Sequence, residues 1–237
     1  MTTTLGILGG VGPLASVYFA NMIINMTSAS NDQEHIPLFM FNDNVIPDRT
    51  AFILGRSDID PVPRMIEDIK KLSDFGCDYI AVTCNTAHYF YDKLQDSTDA
   101  KVVNMIDAAV DSALAKRPDA EKIGILATDG TVQSGVYSKV IERHGIECIT
   151  PSVKSQKMIM DIIYSQVKAG REVDLDGFMS VISELRASGC DAIILGCTEL
   201  SVINMNNKLT QNNDDIIDAM EALAERCIAL CGKKINY

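Results

Sequence analysis

Short apolar runs of strand length alternate with amphipathic stretches of helix length along the whole chain. An apolar run over residues 5–8 precedes a helical pattern over 14–27, and an amphipathic stretch over 64–75 precedes a second apolar run over 79–83. Strands that alternate with helices in this way form βαβ units, in which the strands run parallel. The pattern therefore predicts an α/β protein.

The same alternation predicts the remaining elements. Further strands are expected at residues 37–42, 122–127 and 192–195, and further helices at 86–94, 136–144, 156–168, 175–188 and 214–231.

One local sequence occurs twice and carries a cysteine after its strand each time. Residues 76–86 read GCDYIAVTCNT and residues 189–199 read GCDAIILGCTE, and the offset between the two cysteines is 113 positions (197 − 84). A G-I-L run also opens each half, at residues 6–8 and 124–126. This duplication predicts two similar parallel-sheet α/β domains related by a pseudo-two-fold axis, with the active site in the cleft between them.

The predicted first domain covers residues 1–98 and is completed by the C-terminal helix within 209–237, whereas the second covers 99–208. Ligands of open parallel sheets bind beyond the carboxyl ends of the strands. Cys84 and Cys197 both follow such an end, so each predicted domain contributes one cysteine to this region.

The composition and net charge limit which kinds of partner the protein is expected to bind. The chain of 237 residues is 47% hydrophobic and 22% charged, with a net charge of −11. An acidic surface argues against nucleic acid and against anionic membranes, which both require a basic face, but it does not exclude a small anionic substrate. Neither a signal peptide over residues 1–25 nor an apolar run long enough to span a membrane is present.

Cysteine usage predicts reduced thiols in the cytoplasm. The seven cysteines form no CxxC pair, and no histidine follows them at zinc-finger spacing, so a structural metal site is not expected. Cys77 and Cys190 are repeated as well, but each precedes a buried strand and is interpreted as a packing residue.

The two strand-end cysteines have the sequence context of reactive thiols. Asn85 and Thr198 follow them directly and are suitable helix-capping residues, and a helix N-terminus stabilises a thiolate. A cysteine in this position serves as a nucleophile, a general base or a metal ligand, and the spacing alone leaves all three open. His88, one helical turn after Cys84, is a candidate for tuning it or for helix packing.

Polar and glycine-rich turns supply candidate binding groups. The loop with Gly10, Val11 and Gly12 lacks the lysine of a P-loop but is suited to binding a carboxylate. Thr128 begins the corresponding turn of the second half. Arg49, after Pro47 and Asp48, is a candidate carboxylate clamp or a surface charge, and the helix-terminal Lys168 is a candidate ligand or a complement to the helix dipole.

Five segments together resemble the aspartate/glutamate racemase family: residues 6–16 (GILGGVGPLAS), 47–50 (PDRT), 83–88 (TCNTAH), 127–131 (ATDGT) and 196–200 (GCTEL). They occur in the family's order and are spread along most of the chain, from residue 6 to residue 200. The resemblance implies a cofactor-independent isomerase of two α/β domains, in which two cysteines act as opposed acid and base. It also implies a homodimer and an acidic amino-acid substrate.

The resemblance assigns roles to individual residues. Cys84 and Cys197 form the catalytic pair, with Cys197 serving the L-enantiomer and Cys84 the D-enantiomer. The other residues are assigned to substrate binding: Asn85, Thr86, Thr128 and Thr198 with Gly10, Val11 and Gly12 at the α-carboxylate and ammonium, Arg49 and Lys168 at the side-chain carboxylate, and Glu199 nearby. Val11 stands where many family members carry methionine. No His-Tyr follows Cys197 and Thr198, and this ending favours the aspartate branch.

Several alternatives stay open at this point. Aspartate and glutamate differ by one methylene, worth about 1–3 kcal/mol in a pocket, and pocket depth cannot be inferred from sequence. A maleate-type isomerase would use a cysteine as nucleophile. A hydantoin racemase would have little use for two cationic side chains, so Arg49 and Lys168 argue against it. A non-catalytic protein that binds acidic amino acids would not need both cysteines.

Overall fold

The computed structural model describes residues 2–236, and their packing divides the chain into two compact units. The first unit runs to Met105 and is completed by the segment from Met220 onward, and the second is Ile106–Ala219. Within the described residues, each unit contains one four-stranded parallel sheet.

The eight strands of the described residues are short. They are β1 Leu5–Gly9, β2 Leu38–Asn42, β3 Tyr79–Val82, β4 Lys101–Val103, β5 Lys122–Leu126, β6 Glu147–Ile149, β7 Ala192–Leu195 and β8 Ile216–Asp218.

Helices fill most of the chain between these strands. They are α1 Pro13–Met26, α2 Arg49–Ile53, α3 Val62–Asp74, α4 Tyr91–Gln95, α5 Met105–Lys116, α6 Asp129–Ser134, α7 Val136–Arg143, α8 Val153–Asp161, α9 Leu175–Ala187, α10 Thr198–Asn207, α11 Leu209–Asn212 and α12 Ala219–Leu230. Two short 3₁₀ helices, Asp32–Glu34 and Thr86–Phe90, and a π-helical segment, Ile162–Val167, complete the set.

The two sheets have the same strand order. The first is β2-β1-β3-β4 and the second β6-β5-β7-β8, so each strand of the second half takes the place of its counterpart four strands earlier. The predicted α/β class with two similar parallel sheets is confirmed. The central strands β1, β3, β5 and β7 are almost wholly buried, as the near-continuous apolar runs of parallel sheets require.

Three predicted helices differ from the structure. The pattern at 214–231 includes strand β8, and the helix begins only at Ala219. The pattern at 86–94 is a 3₁₀ helix followed by α4, and the pattern at 156–168 is α8 continued by π-helical turns. Apolar periodicity reports burial on one face, and it does not distinguish these helix types or a three-residue buried strand.

The predicted domain bounds at residues 98 and 208 remain a prediction. In the structure, β4 pairs with β3 of the first sheet and β8 pairs with β7 of the second. The compact units accordingly change at Met105 and Ala219.

The repeated glycine and the repeated cysteine of each half pack against one another. A Cβ built on Gly6 would lie 3.0 Å from Cys77 Sγ, and a Cβ on Gly124 would lie 3.2 Å from Cys190 Sγ. Burial raises the pKa of both thiols to about 11. Their environment therefore supports the interpretation of these two cysteines as packing residues.

We expect Gly6→Ala to destabilise the protein by about 1–3 kcal/mol, because the added methyl group overpacks a fully buried strand. The nearest atoms to the added methyl group are Cys77 Sγ at 3.0 Å, Cys77 Cβ at 3.2 Å and Leu72 Cβ at 3.3 Å, so these neighbours must move by a few tenths of an ångström to admit it. Urea unfolding measures the cost. The cost should shrink in a Cys77→Ala background, and strictly additive effects of the two substitutions would contradict the packing account. Gly124→Ala is the matched change in the second unit.

Candidate active site

In each unit the predicted cysteine, and the loop or turn predicted to bind the α-carboxylate, follow the two central strands. β1 and β3 pair through Leu8 and Val82, and β5 and β7 pair through Leu126 and Leu195. Each of these pairs is the point where the strand order reverses, and such a point is the usual ligand site of an open parallel sheet. In the first unit the Gly10–Gly12 loop and Cys84 follow the pair, and in the second Thr128 and Cys197 follow it.

The loop between β1 and α1 is shaped by its glycines. Gly10 has a φ of 85° and Gly12 a φ of 138°. A Cβ on Gly10 would lie about 2.1 Å from the backbone of Asp43, so no side chain fits there. Val11, between the two glycines, is buried, and Pro13 begins α1.

Two hydroxyls that the sequence did not single out fix this loop. Ser16 Oγ accepts from Gly10 N at 3.2 Å and donates to Gly12 O at 2.9 Å. Thr83 Oγ1 donates its single proton either to Ser16 Oγ, at 2.8 Å, or to the carbonyl of Leu8, at 3.2 Å. Ser16 and Thr83 are fully buried. The network ties the loop to the residue immediately before Cys84.

Cys84 is 6% exposed and is held through its backbone. His88 Nδ1 lies 2.9 Å from the Cys84 carbonyl, and the backbone N–H of Met105 donates to His88 Nε2 at 3.0 Å. Because Nε2 accepts, Nδ1 carries the proton and donates to Cys84 O. His88 therefore positions the cysteine backbone through both ring nitrogens.

Asn85 and Thr86 are buried beside Cys84. They lie at the start of the 3₁₀ helix Thr86–Phe90, which together with α4 takes the place of the single helix that the sequence predicts at this point.

Arg49 is buried, at 8% exposure, and begins α2. Its Nη1 donates to the carbonyl of Pro47 at 2.9 Å and more weakly to that of Ile46, at 3.3 Å. Its Nη2 donates to the carbonyl of Val11 at 3.2 Å. The guanidinium thus cross-links the arginine segment to the glycine loop. The interpretation of Arg49 as an exposed surface charge is wrong.

In the second unit, Thr128 caps the short helix α6. Its Oγ1 accepts from Thr131 N at 3.2 Å and lies 3.1 Å from Thr131 Oγ1. Both threonines are buried. By the G-I-L offset of 118 (124 − 6), Thr128 occupies the position of Gly10.

Cys197, Glu199 and Lys168 form a contiguous chain of polar contacts. Cys197 Sγ donates to Glu199 Oε2 at 3.0 Å, and Lys168 Nζ lies 2.7 Å from Glu199 Oε1. Thr198 Oγ1 also reaches Glu199 Oε2, at 3.5 Å. Cys197 is 7% exposed and Glu199 4%. The Lys168 ammonium also lies over the Tyr164 ring, 5.5 Å from its centroid.

The surroundings of Cys197 favour its protonated form. Burial and the charge of Glu199 raise the pKa of its thiol well above the usual value, whereas Lys168 and the backbone N–H of Glu199 act in the opposite direction. Tyr137 packs near Gly196, and its own pKa is raised by burial and by the charges of Asp218 and Cys197.

Asp218, at the end of β8, holds the helix that carries Glu199. Its Oδ1 accepts from Ser201 Oγ at 2.6 Å and its Oδ2 from Asn204 Nδ2 at 2.8 Å. Ser201 and Asn204 lie on α10, whose first residue follows Cys197. Tyr137 and Asp218 carry no sequence signal that marks them as part of a site.

Comparison with known proteins identifies the group of enzymes to which this arrangement belongs. The profile of the Asp/Glu/Hydantoin racemase family matches residues 8–227. The chain belongs to this family. The two strand-end cysteines and the glycine loop all lie within the matched region.

Two relatives in this racemase family match along almost the whole chain, and a third matches about two thirds of it. The broad specificity amino-acid racemase RacX of Bacillus subtilis is 27% identical over 231 residues, which are 95% of this chain and 96% of that protein. The structure of Picrophilus torridus aspartate racemase is similar with a TM-score of 0.85 and 32% identity, covering 99% of this chain and 96% of that one. Glutamate racemase of Aquifex pyrophilus is 29% identical over 154 residues, 65% of this chain and 58% of that protein.

Two further observations concern metal binding and membrane insertion. Among residues 2–236, no group of three or more His, Cys, Asp or Glu side chains is arranged to hold a metal ion. None of the helices described over the same residues is long and apolar enough to cross a membrane.

Proposed function

We propose that this chain interconverts the L- and D-enantiomers of acidic amino acids without pyridoxal phosphate, with aspartate as the leading substrate. The observation that carries the proposal is the pair of buried cysteines, Cys84 and Cys197, each at the carboxyl end of a central strand in equivalent sheets. Membership of the racemase family and the 32% identity to Picrophilus torridus aspartate racemase support it.

The proposed chemistry uses the two thiols as opposed acid and base. One cysteine, as thiolate, removes the proton from Cα, and the thiol of the other delivers a proton to the opposite face. The electron pair left at Cα is taken up by the α-carboxylate as an enediolate, which backbone amides and hydroxyls stabilise. Gly10, Val11, Gly12, Asn85, Thr86, Thr128 and Thr198 are the proposed ligands of the α-carboxylate and ammonium.

Arg49 and Lys168 are the proposed ligands of the side-chain carboxylate. Arg49 lies next to the glycine loop through its bond to Val11 O, which places a buried cation beside a proposed ligand of the α-carboxylate. Lys168, whose side chain is partly exposed, holds Glu199 in this structure. Both cations are the reason for preferring an acidic substrate to a hydantoin.

Chiral chromatography with a panel of substrates tests the proposal. Purified protein, kept reduced and free of added cofactor, is incubated separately with L- and D-aspartate, L- and D-glutamate, L-alanine, maleate and a 5-substituted hydantoin. We expect aspartate to approach an equal mixture from either enantiomer. Inert amino acids together with conversion of maleate or hydantoin would contradict the proposed substrate class.

A broad specificity racemase is the second candidate, because the Bacillus subtilis relative matches 95% of this chain. The same panel separates the two candidates. Racemisation of alanine at a kcat/KM within about tenfold of that for aspartate, a difference of about 1.4 kcal/mol, would favour broad specificity. A larger preference for aspartate supports a dedicated carboxylate site.

We also propose that the protein is a cytoplasmic homodimer. The seven cysteines are all free thiols, which suits a reducing compartment.

The dimer is proposed from the first helix. Residues 1–31 contain no charged side chain although the chain carries a net charge of −11, and Leu14, Val17 and Ile24 of α1 in this segment are exposed. Two acidic copies repel one another least where charged side chains are kept out of their contact, and these exposed apolar side chains of α1 are the proposed contact. Light scattering coupled to size exclusion would give twice the mass of one chain, 25.9 kDa, and a single mass would contradict the dimer.

A further inference from the structure

The two cysteines of the repeat have different neighbours. By the offset of 113 positions, Glu199 takes the place of Thr86. Cys197 thus has a carboxylate two residues away whose Oε2 accepts its thiol proton at 3.0 Å, and the corresponding position beside Cys84 holds a hydroxyl. Proton handling at the two thiols must therefore differ.

We propose that Glu199 is the proton acceptor that activates Cys197, and that Lys168 holds this carboxylate in place. The proposal rests on the two-cysteine racemase function proposed above and deepens it. It moves Glu199 from substrate binding to proton transfer.

The geometry suits an internal proton transfer. The S–H bond of Cys197 breaks as an O–H bond forms on Glu199 Oε2, and the sulfur retains the electron pair as a thiolate. The backbone N–H of Glu199, which hydrogen-bonds the Cys197 sulfur, stabilises that thiolate. Lys168 Nζ, 2.7 Å from the other carboxylate oxygen, favours the thiol and carboxylate pair seen here.

This transfer does not change the number of protons that Cys197 and Glu199 hold together. Thiol with carboxylate and thiolate with carboxylic acid are two forms of the same protonation state, so the share of Cys197 thiolate does not depend on pH while that state persists. The thiolate then takes the proton from Cα, and Cys84 gives its own proton to the opposite face. A substrate carboxylate that draws Lys168 away from Glu199 would remove the cation that holds the thiol and carboxylate pair and so favour the activated form.

Other ionisable groups face this cluster from neighbouring elements. Tyr137 lies on α7, and the charges of Cys197 and of Asp218 on β8 both raise its pKa. Lys168, at the end of the π-helical segment, is the positively charged group in direct contact with Glu199. The burial-raised pKa of Tyr137 places its ionisation outside the neutral range, so it contributes no titration to the test below.

Alkylation of individual cysteines tests the proposal without requiring any enzymatic activity. The full-length protein is treated with iodoacetamide between about pH 6 and 9, and modification of Cys197 and Cys84 is quantified by peptide mass spectrometry. An ordinary thiol reacts about tenfold faster per pH unit below its pKa, because only the thiolate reacts. We expect Cys197 in the unaltered protein to show a much shallower dependence.

Glu199→Gln removes the proton acceptor and keeps the size of the side chain. Cys197 must then lose its proton to solvent, so we expect its alkylation to rise about tenfold per pH unit. Racemisation should fall about 100-fold or more near neutral pH and recover as the pH increases. The pH dependence of Cys84 alkylation should be the same in both proteins. Glu142→Gln, the same charge change on an exposed residue, should behave as the unaltered protein.

Two results would overturn the proposal. One is a full tenfold dependence per pH unit for Cys197 in the unaltered protein, which needs no variant and therefore stands even where Glu199→Gln does not fold. The other is a folded Glu199→Gln variant with an unchanged alkylation slope. If no amino acid is racemised, the function proposed above fails, whereas the alkylation slopes still decide whether Glu199 takes the proton of Cys197.

Discussion

Cys84→Ser and Cys197→Ser should each lower kcat/KM for racemisation at least about 1,000-fold, because a hydroxyl of nearly the same size cannot replace a thiolate base or a thiol acid. Both thiols are buried at strand ends, so the substitutions change chemistry more than packing. Since two enantiomers are equal in free energy, kcat/KM must fall equally in both directions. Rates of racemisation alone therefore cannot show which thiol serves which enantiomer.

Exchange of the α-proton with solvent resolves the two roles. In Cys84→Ser, Cys197 can still remove and return the proton on its own face, so one enantiomer should exchange without inversion. In Cys197→Ser, the other enantiomer should do so. The family resemblance assigns Cys197 to L-aspartate and Cys84 to D-aspartate. Proton NMR in D₂O, combined with chiral chromatography, measures both quantities.

The matched control is Cys148→Ser. Cys148 lies on β6, burial raises its pKa to about 12, and it follows no central strand. Its replacement should leave racemisation unchanged. Two-way racemisation by Cys84→Ser or by Cys197→Ser at the rate of the unaltered protein would contradict the proposed two-base mechanism.

Arg49→Met should lower kcat/KM for aspartate by about 100- to 1,000-fold, since loss of one partner of a buried charge pair costs roughly 2–5 kcal/mol. Most of the change is expected in KM, because the guanidinium is proposed to bind a substrate group that does not react. The three carbonyls that it contacts lose their donor as well, so the unfolding temperature should also fall.

Arg49→Lys separates charge from geometry, because a lysine keeps the charge but cannot donate to several carbonyls in the same plane. We expect it to recover part of the affinity for aspartate. Arg56→Met, which removes an exposed arginine seven positions along, is the control. A lower unfolding temperature with an unchanged KM would show that Arg49 is a scaffold and would contradict the assignment to substrate.

The sequence predicts the elements that are buried on both faces. β1, β3, β5 and β7 are continuous apolar runs, and all four were expected. β4, β6 and β8 have three residues each, too few for a period to emerge, so none was expected. The fold class follows from the four long runs, whereas the bounds of the compact units depend on the short strands.

The sequence predicts some residues of the candidate site but not the contacts between them, for a similar reason. Cysteines that follow strands are visible in a linear sequence, and so is the repeat that relates them. The contact of Glu199 with Lys168, 31 positions away (199 − 168), depends on how a helix end packs. The carbonyl contacts of Arg49 and the hydroxyl pair of Ser16 and Thr83 also appear only once the loops are folded.

The most direct test of the account follows the α-proton of each aspartate enantiomer by proton NMR in D₂O, with metal-free protein, a reductant and no pyridoxal phosphate. The account predicts loss of the α-proton signal from both L- and D-aspartate, with optical rotation decaying to zero from either side. Binding of aspartate without exchange at Cα would contradict it and would identify a protein that only binds this ligand.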